Sequence, residues 1–313
     1  MPGPHVPPPM LQNEGESTTM LRLQPIFDTN VLAAQDRSAW RFLRRRRPHH
    51  GWPLSLITVL ELLAGLDGIP EEQFPNLRRQ VELAFSISRG RVLEDPTPML
   101  CREVLRIPFP SRLVAPSATV LSSHLDIVRR AKTVAQLLTG VAFRGGIAGL
   151  KTMSVVRDIV TNLKQQWVSA LENIVAAKNP NWRELFRAEG KRLPPELREQ
   201  LIPLSAWESE KRIFVEQLLR DLLDATPTPT LVEAMSKSFS AVLEFSTFVA
   251  REFLIGNYSI EKHSSDVFDQ FQLRYLAMDR FVVVTNDPDL SKRTQRSLQT
   301  ARIVTLERFL ETL

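Results

Sequence analysis

Four acidic residues, each placed in or beside an otherwise apolar segment, constrain this chain more than any other feature. They are Asp28 in the segment Ile26–Asn30, Glu61 in Thr58–Leu63, Asp269 at the start of Asp269–Leu273, and Asp287 at the end of Val283–Asp287. A carboxylate in apolar surroundings costs free energy unless a partner compensates it, and a bound divalent cation is a common partner. If these segments converge in the fold, the sequence predicts a metal-binding acidic pocket.

Each carboxylate also has a purely structural interpretation. Asp28 and Asn30 can cap the following helix, Thr58 and Glu61 fit a capping box, Asp269 can face solvent on a helix, and Asp287-Pro288 is a common helix entry. Taken singly, these interpretations are sufficient. The order strand-Asp, helix-Glu, helix-Asp, strand-Asp favours one shared site over four separate roles.

The hydrophobic pattern predicts an α/β fold with a parallel sheet. A strand ends at Asp28, with Pro25 expected at or before its first paired residue, because proline cannot donate to a sheet. Residues 91–94 and 281–284 and the segment Ile303–Thr305 are the other expected strands, with helices between them. Short apolar strands alternating with helices are typical of parallel sheets covered on both faces. Ligands gather at the carboxyl ends of such strands, where Asp28 and Asp287 lie.

Composition divides the chain into four parts. Residues 1–20 are a proline-rich tail expected to be disordered, and residues 21–107 and 263–313 are two halves of one α/β core. Between the halves, residues 108–262 form an almost wholly helical insertion. Its expected helices span Ala118–Leu138, Thr152–Ala177, Ala206–Leu223 and Thr230–Leu254. The basic segment Val31–Arg47 is expected to form one further helix, which stops at Pro48.

Three pieces of the chain resemble the PIN-domain family of nucleases. The matching pieces are Ile26–Leu32, Ser55–Gly65 and Asp269–Asp287, and the closing Ile303–Leu306 is similar to that family's last strand. The resemblance covers under half of the chain and implies a PIN-like three-layer α/β/α fold. It implies that Asp28, Glu61, Asp269 and Asp287 form the acidic pocket that ligates the metal, with Thr29 or Thr285 orienting a water or ligand. Asp266 and Asp289 are further or alternative ligands. The long helical insertion departs from the compact family pattern.

The chemistry of such a pocket favours Mg²⁺ or Mn²⁺, because all-oxygen ligands select hard cations. The preferred hypothesis is a metal-dependent ribonuclease that cuts single-stranded RNA with a metal-activated water; the preference for RNA comes from the resemblance alone. A structure-selective DNA nuclease, with the insertion arching over the site, is the second hypothesis. The third is a non-catalytic PIN-fold module that binds RNA or protein.

Basic side chains supply candidate nucleic-acid contacts, because an acidic pocket alone repels phosphate. The candidates are Arg41, Arg44, Arg45, Arg46, Arg47, Arg129, Arg130, Lys132 and Arg144. Trp40 and Phe42 lie among the first five and either stack on unpaired bases or pack inward. The later, mixed-charge half of the insertion is a candidate surface for a protein partner or for a second copy of the chain.

Charge and cysteine usage constrain the setting of the protein. The 40 Lys+Arg residues exceed the 35 Asp+Glu residues by five, a modest excess concentrated in the regions just named. The one cysteine excludes an internal disulfide, which predicts a reducing, cytoplasmic compartment. The first twenty residues lack the apolar core of a signal peptide, and no membrane-spanning segment or membrane partner is expected.

Overall fold

The computed structural model describes residues 23–34, 37–66, 68–111, 117–139, 158–169, 207–254, 258–259, 262–263 and 265–313. The fold is mixed α/β and mostly helical, with a small parallel sheet. The proline-rich tail, Arg144 and most of the expected helix Thr152–Ala177 lie outside these residues; within that helix, residues 158–169 are helical.

The sheet joins the two ends of the chain. Its strands are β1 (Gln24–Phe27), β2 (Phe281–Val284) and β3 (Ile303–Val304), in the order β1-β2-β3 with parallel pairing throughout. Strand β2 is buried along its whole length, as expected for a continuous apolar run covered on both faces. The expected parallel sheet is therefore confirmed, and the strands at 281–284 and 303–304 match the sequence pattern closely.

Pro25 differs by one position from its expected place. It is the second paired residue, opposite Val282, and not the first. The Gln24 amide donates to the Arg280 carbonyl just before β2, and the Asp28 amide donates to the Val284 carbonyl at the end of β2. Because backbone groups alternate in direction along a strand, the backbone nitrogen of Pro25 points away from β2. Because β1 lies at the edge of the sheet, the missing N–H of Pro25 leaves no β2 carbonyl unpaired.

The prediction of a strand at residues 91–94 is wrong. The structure has one isolated parallel bridge there, between Leu54 and Val92. The Leu54 amide donates to Arg91, and the Leu93 amide donates back to Leu54. Both segments then end at a helix cap, because Ser55 and Asp95 each begin a helix within a few residues. The extended segments before these two caps are therefore too short to pair as a β-ladder.

The helices, in chain order, are α1 (Thr29–Ala33), α2 (Arg37–Arg46), α3 (Leu56–Ala64), α4 (Phe74–Ser88), α5 (Pro96–Leu100), α6 (Ala118–Arg130), α7 (Val134–Thr139), α8 (Glu208–Leu223), α9 (Pro229–Ser238), α10 (Ser240–Leu254), α11 (Asp266–Leu273), α12 (Pro288–Arg293) and α13 (Leu306–Glu311). A π-helical turn, Cys101–Leu105, follows α5, and 3-10 turns cover Arg274–Ala277 and Thr300–Arg302.

Several expected helices are divided in the structure. The segment 31–47 forms α1 and α2, and α1 begins at Thr29, two residues earlier than expected, because Asp28 caps it. The segment 118–138 forms α6 and α7, and the segment 230–254 breaks at Phe239 into α9 and α10. Thr228 caps α9 with Pro229 in its first turn, so the proline run begins that helix.

Candidate acidic site

Asp28 lies directly after β1, at the carboxyl end of the sheet, and is buried. Its Oδ1 accepts a hydrogen bond from the Thr29 amide at 2.6 Å, and its Oδ2 accepts one from the Thr285 hydroxyl at 2.8 Å. Burial raises the pKa of Asp28 above its usual value; the hydrogen bonds from Thr285 and Thr29 oppose that rise, and the charge of Asp287 adds to it. Asp28 therefore caps α1 as expected, and its carboxylate is also repelled by the charge of Asp287.

Thr285 connects the two strand ends through its hydroxyl. Its Oγ1 accepts from the Asn30 side-chain amide at 3.0 Å and from the Asp287 backbone amide at 3.0 Å, while donating to Asp28. The Asn30 Oδ1 in turn accepts from the Asn286 backbone amide at 2.9 Å. These bonds fix the Asp28 loop against the Asp287 loop.

Asn30 and Asn286 are site residues that the sequence did not assign. The sequence pattern gives Asn30 a helix-capping role and gives Asn286 no role in the site. The Asn286 side chain accepts from the Leu306 amide at 3.3 Å, so it also links the site to the start of α13. The available signal was an amide side chain beside each strand-end aspartate, since such groups can bridge two loops by donating and accepting at once.

Glu61 lies in the interior of α3, so the capping-box interpretation is wrong. Ser55 is the N-cap and accepts from the Thr58 amide at 2.9 Å, while the Thr58 hydroxyl donates to the Phe27 carbonyl at 2.8 Å. Burial first, and the Asp28 charge second, raise the pKa of Glu61 to about 8, opposed by a hydrogen bond from the Thr29 side chain. The Glu61 Oε2 atom is buried and has no hydrogen-bond partner within the described residues.

Asp269 lies in the first turn of α11 and is half-buried. Burial raises its pKa well above the usual value, and the charges of Asp28, Glu61, Asp266 and Asp287 raise it further, in that order. The structure thus brings Asp28, Glu61 and Asp287, from three other segments, within electrostatic reach of Asp269.

Asp287 caps α12, as its sequence context predicted. Its Oδ1 accepts from the Asp289 amide at 2.8 Å, and Pro288 occupies the first helical position. The Asp287 side chain is half-buried, whereas Asp289 is exposed and contributes no charge effect to the three buried acids. Asp289 therefore lies at the periphery of the cluster.

Asp266 is occupied by a different interaction. Its Oδ2 accepts from Arg293 at 2.7 Å, and both side chains are largely buried, with 6% and 10% exposure. Tyr258 also hydrogen-bonds Asp266. Burial raises the pKa of Asp266 even though the Arg293 charge opposes the rise. This ion pair joins α11, which carries Asp269, to α12, which Asp287 caps.

The donor chemistry fits a hard cation, although no compact cage is formed. Within the described ranges, no group of three or more His, Cys, Asp and Glu side chains is arranged to hold a metal ion. The carboxylates supply only oxygen donors, and the orphaned Glu61 Oε2 is a buried acceptor that a cation would satisfy. Asp28, Glu61, Asp269 and Asp287 are the residues suited to that role, with Thr29 and Thr285 supporting them.

The arginines of α2 are on the surface. Arg41, Arg44, Arg45 and Arg46 are exposed and Arg47 is half-buried. Trp40 is buried and packs edge-on against Phe27, with ring centroids 6.3 Å apart, so the stacking interpretation is wrong for Trp40. Phe42 is 37% exposed, and the Arg46 guanidinium lies 5.5 Å from its ring centroid.

The second basic group is partly neutralised. Arg129 and Arg130 both pair with Asp126 at 2.6 Å, and Arg129 also lies over the Phe85 ring. Lys132 is exposed, and Arg144 lies outside the described residues. Among these residues, Lys132 presents its charge most openly to solvent.

Comparison with known proteins yields no relative. No family model matches the chain, and neither the curated proteins nor the solved structures contain a match. Within the described residues, no helix is both long and apolar enough to cross a membrane.

Proposed function

We propose that this protein is a metal-dependent phosphodiester hydrolase, and specifically a PIN-like ribonuclease that cuts single-stranded RNA. The observation that carries the proposal is the convergence of Asp28, Glu61, Asp269 and Asp287 at the carboxyl end of a parallel sheet. Burial and neighbouring carboxylate charge raise the pKa values of Asp28, Glu61 and Asp269 there. Buried acids that repel one another cost stability, and perturbed acids in one cluster are typical of functional sites. A PIN-like three-layer arrangement, RNA as the partner and a cytoplasmic location belong to the same proposal.

Asp28, Asp269 and Asp287 differ in their hydrogen bonds, and we assign each a role accordingly. Asp28 is held by Thr29 and Thr285 and so presents a fixed carboxylate, while Asp269 accepts no hydrogen bond from the described residues and keeps its oxygens available. Asp287 uses one oxygen as a helix cap and has the other for a ligand. When bound, Mg²⁺ or Mn²⁺ would neutralise this cluster and supply Lewis-acid activation of water and phosphate.

Glu61 is suited to proton transfer. Its pKa of about 8 places its titration near neutral pH, where a carboxylate can both accept and release a proton efficiently. In the ionised form, the unpartnered Oε2 is the atom that would ligate the cation or accept a proton. Glu61 therefore either ligates the cation or accepts the proton of the attacking water.

Cleavage of end-labelled single-stranded RNA and DNA tests the proposal. Wild-type protein, Asp287→Asn and Asp279→Asn are compared in EDTA, Mg²⁺ and Mn²⁺. Asp279 is a matched control because it is fully exposed and precedes β2, at the opposite end of the strand from Asp287. We expect metal-dependent cutting of RNA by wild type and Asp279→Asn, and at least a hundredfold loss in Asp287→Asn.

Two outcomes contradict the proposal in different ways. Preferred cutting of DNA would retain the hydrolase and reject RNA as its substrate. No metal-dependent cutting of either strand, or equal cutting by Asp287→Asn, would reject the hydrolase itself and favour a non-catalytic binding module.

A further inference from the structure

A basic cleft lies between the first helices of the chain. It has a volume of about 300 Å³ and is lined by Arg41 and Arg44 of α2, Arg79 of α4, Glu82 of α4 and Leu32 of α1, among others. Three arginines from two helices thus line one depression. The arginine of α4 was not among the sequence candidates for nucleic-acid binding.

Local structure explains why α2 turns its arginines toward this cleft. Ala39, Trp40 and Leu43 are buried and fix the inward face of α2. Arg41 and Arg44 are three residues apart, so they share one side of the helix. The Arg44 Nε donates to the Trp40 carbonyl at 3.4 Å, which restrains its guanidinium near the helix surface.

Among the described residues that line the cleft, the one carboxylate, Glu82, is already paired. Glu82 accepts from Arg78, one turn earlier on α4, at 3.1 Å. The pair is solvent-exposed and hence weak, but it offsets part of the Glu82 charge. The cleft therefore has a net positive lining, which suits an anionic ligand.

Position links the cleft to the acidic site. Leu32, which lines the cleft, belongs to α1, the five-residue helix that Asp28 caps. A polyanion seated against α2 and α4 would thus lie beside the helix that leaves the acidic cluster. The cluster alone repels phosphate, so a substrate strand needs basic contacts close to it.

We propose that this cleft binds the phosphodiester backbone of the single-stranded substrate, with Arg41, Arg44 and Arg79 contacting phosphates. The proposal rests on the proposed function and extends it by assigning a path for the strand and a new contact residue, Arg79. Backbone contacts of this kind position the strand and carry no base preference.

Fluorescence anisotropy of a labelled single-stranded RNA, measured with the full chain in EDTA across a salt series, tests the proposal. We expect Arg79→Ala and Arg41→Ala each to weaken binding about fivefold at 0.1 M salt and to reduce the salt slope by about 0.7, the contribution of one lost phosphate contact. Glu82→Gln should strengthen binding, because it removes a carboxylate from the cleft lining. The control is Arg212→Ala, an exposed arginine of α8 paired with Glu216, which should bind like wild type.

The outcomes separate this proposal from the proposed function. Equal losses in Arg79→Ala and Arg212→Ala, unchanged binding in Arg79→Ala, or no RNA binding by wild type would overturn the cleft assignment. If the cleft variants behave as expected but wild type never cleaves with metal, the cleft stands and the nuclease fails. If wild type cleaves RNA with metal and neither Arg41→Ala nor Arg79→Ala changes that cleavage, the nuclease stands and the cleft assignment fails. Thermal melts of each variant identify any loss caused by unfolding.

Discussion

The Thr285 hydroxyl donates to the Asp28 carboxylate at 2.8 Å, joining residues that directly follow two paired strands. The same oxygen accepts from Asn30 and from the Asp287 amide, so a single side chain orders both aspartate loops. The precision of the acidic site therefore depends on a hydroxyl and not only on the carboxylates.

Replacing Thr285 by Val should destabilise the protein by about 1–3 kcal/mol, because it leaves buried polar groups without their partner. It should also reduce cleavage, since Asp28 is no longer held. Thermal unfolding and initial cleavage rates measure the two effects. Thr294→Val is the control, because among the described residues the Thr294 hydroxyl donates to carbonyls of the helix that it follows, α12. An equal effect of both changes on cleavage would remove the special role of Thr285.

Asp269→Asn should stabilise the metal-free protein at pH 8, where ionisation of the carboxyl is opposed, while abolishing metal-dependent activity. The mutation removes a carboxyl group whose ionisation is opposed by burial and by the charges of four neighbouring acids. Thermal melts in EDTA measure the stability, with Asp279→Asn as the matched loss of an exposed charge. A large destabilisation would instead show that Asp269 has a structural role.

Stability of the metal-free protein should depend on pH with a definite sign. The pKa of Glu61 is raised from its usual value of 4.5 to about 8 in the folded chain, so the folded state keeps its proton longer than the unfolded state. The resulting stabilisation is complete below pH 4.5 and is lost as pH rises through about 8. The elevated pKa values of Asp28 and Asp269 act in the same direction.

Glu61→Gln isolates that contribution. In EDTA, the decline in melting temperature between pH 5 and pH 8 should be shallower for Glu61→Gln than for wild type, and Gln should be the more stable at pH 8. Glu72→Gln, a change at an exposed position of the surface, is the control. A profile for Glu61→Gln that follows wild type throughout would show that Glu61 is not held in the perturbed state described.

Removing one partner of the buried ion pair between Asp266 and Arg293 should destabilise the protein strongly. Arg293→Met leaves a buried carboxylate without its cation and should cost about 3–5 kcal/mol, whereas the double change Asp266→Asn with Arg293→Met should recover most of that loss. Denaturant unfolding measures both. Arg308→Met, which breaks an exposed pair with Glu311, should cost under about 1 kcal/mol. Additive losses in the double variant would contradict a coupled pair.

The parts of the fold that local pattern determines were predictable. The run Phe281–Val284 and the strand before Asp28 are short, apolar and bounded by turn-forming residues, so their type and limits follow from the sequence. The region around Val92 was not predictable in the same way, since a strand needs a partner of sufficient length and Leu54 offers one residue. Propensity does not contain that information.

The acidic residues of the site could be predicted from the sequence, but the hydrogen bonds that join its two loops could not. Carboxylates in apolar segments are visible in a sequence, because their cost requires an explanation. The bonds from Asn30 to Thr285 and from Asn286 to Asn30 join residues more than 250 positions apart and depend on the β1–β2 register. Arg79 was missed for a related reason: its position in the cleft results from the packing of α4 beside α2.

Calorimetric titration of the metal-free protein with Mn²⁺ tests the central claim most directly. Wild type and Asp279→Asn should bind Mn²⁺ with saturable heat at pH 8, and Asp269→Asn should lose at least tenfold in affinity, because one oxygen donor and one charge are removed from the cluster. Saturable binding that Asp269→Asn weakens at least tenfold would establish a cation site that includes Asp269. Absence of Mn²⁺ binding by wild type, or equal binding by Asp269→Asn, would contradict the account.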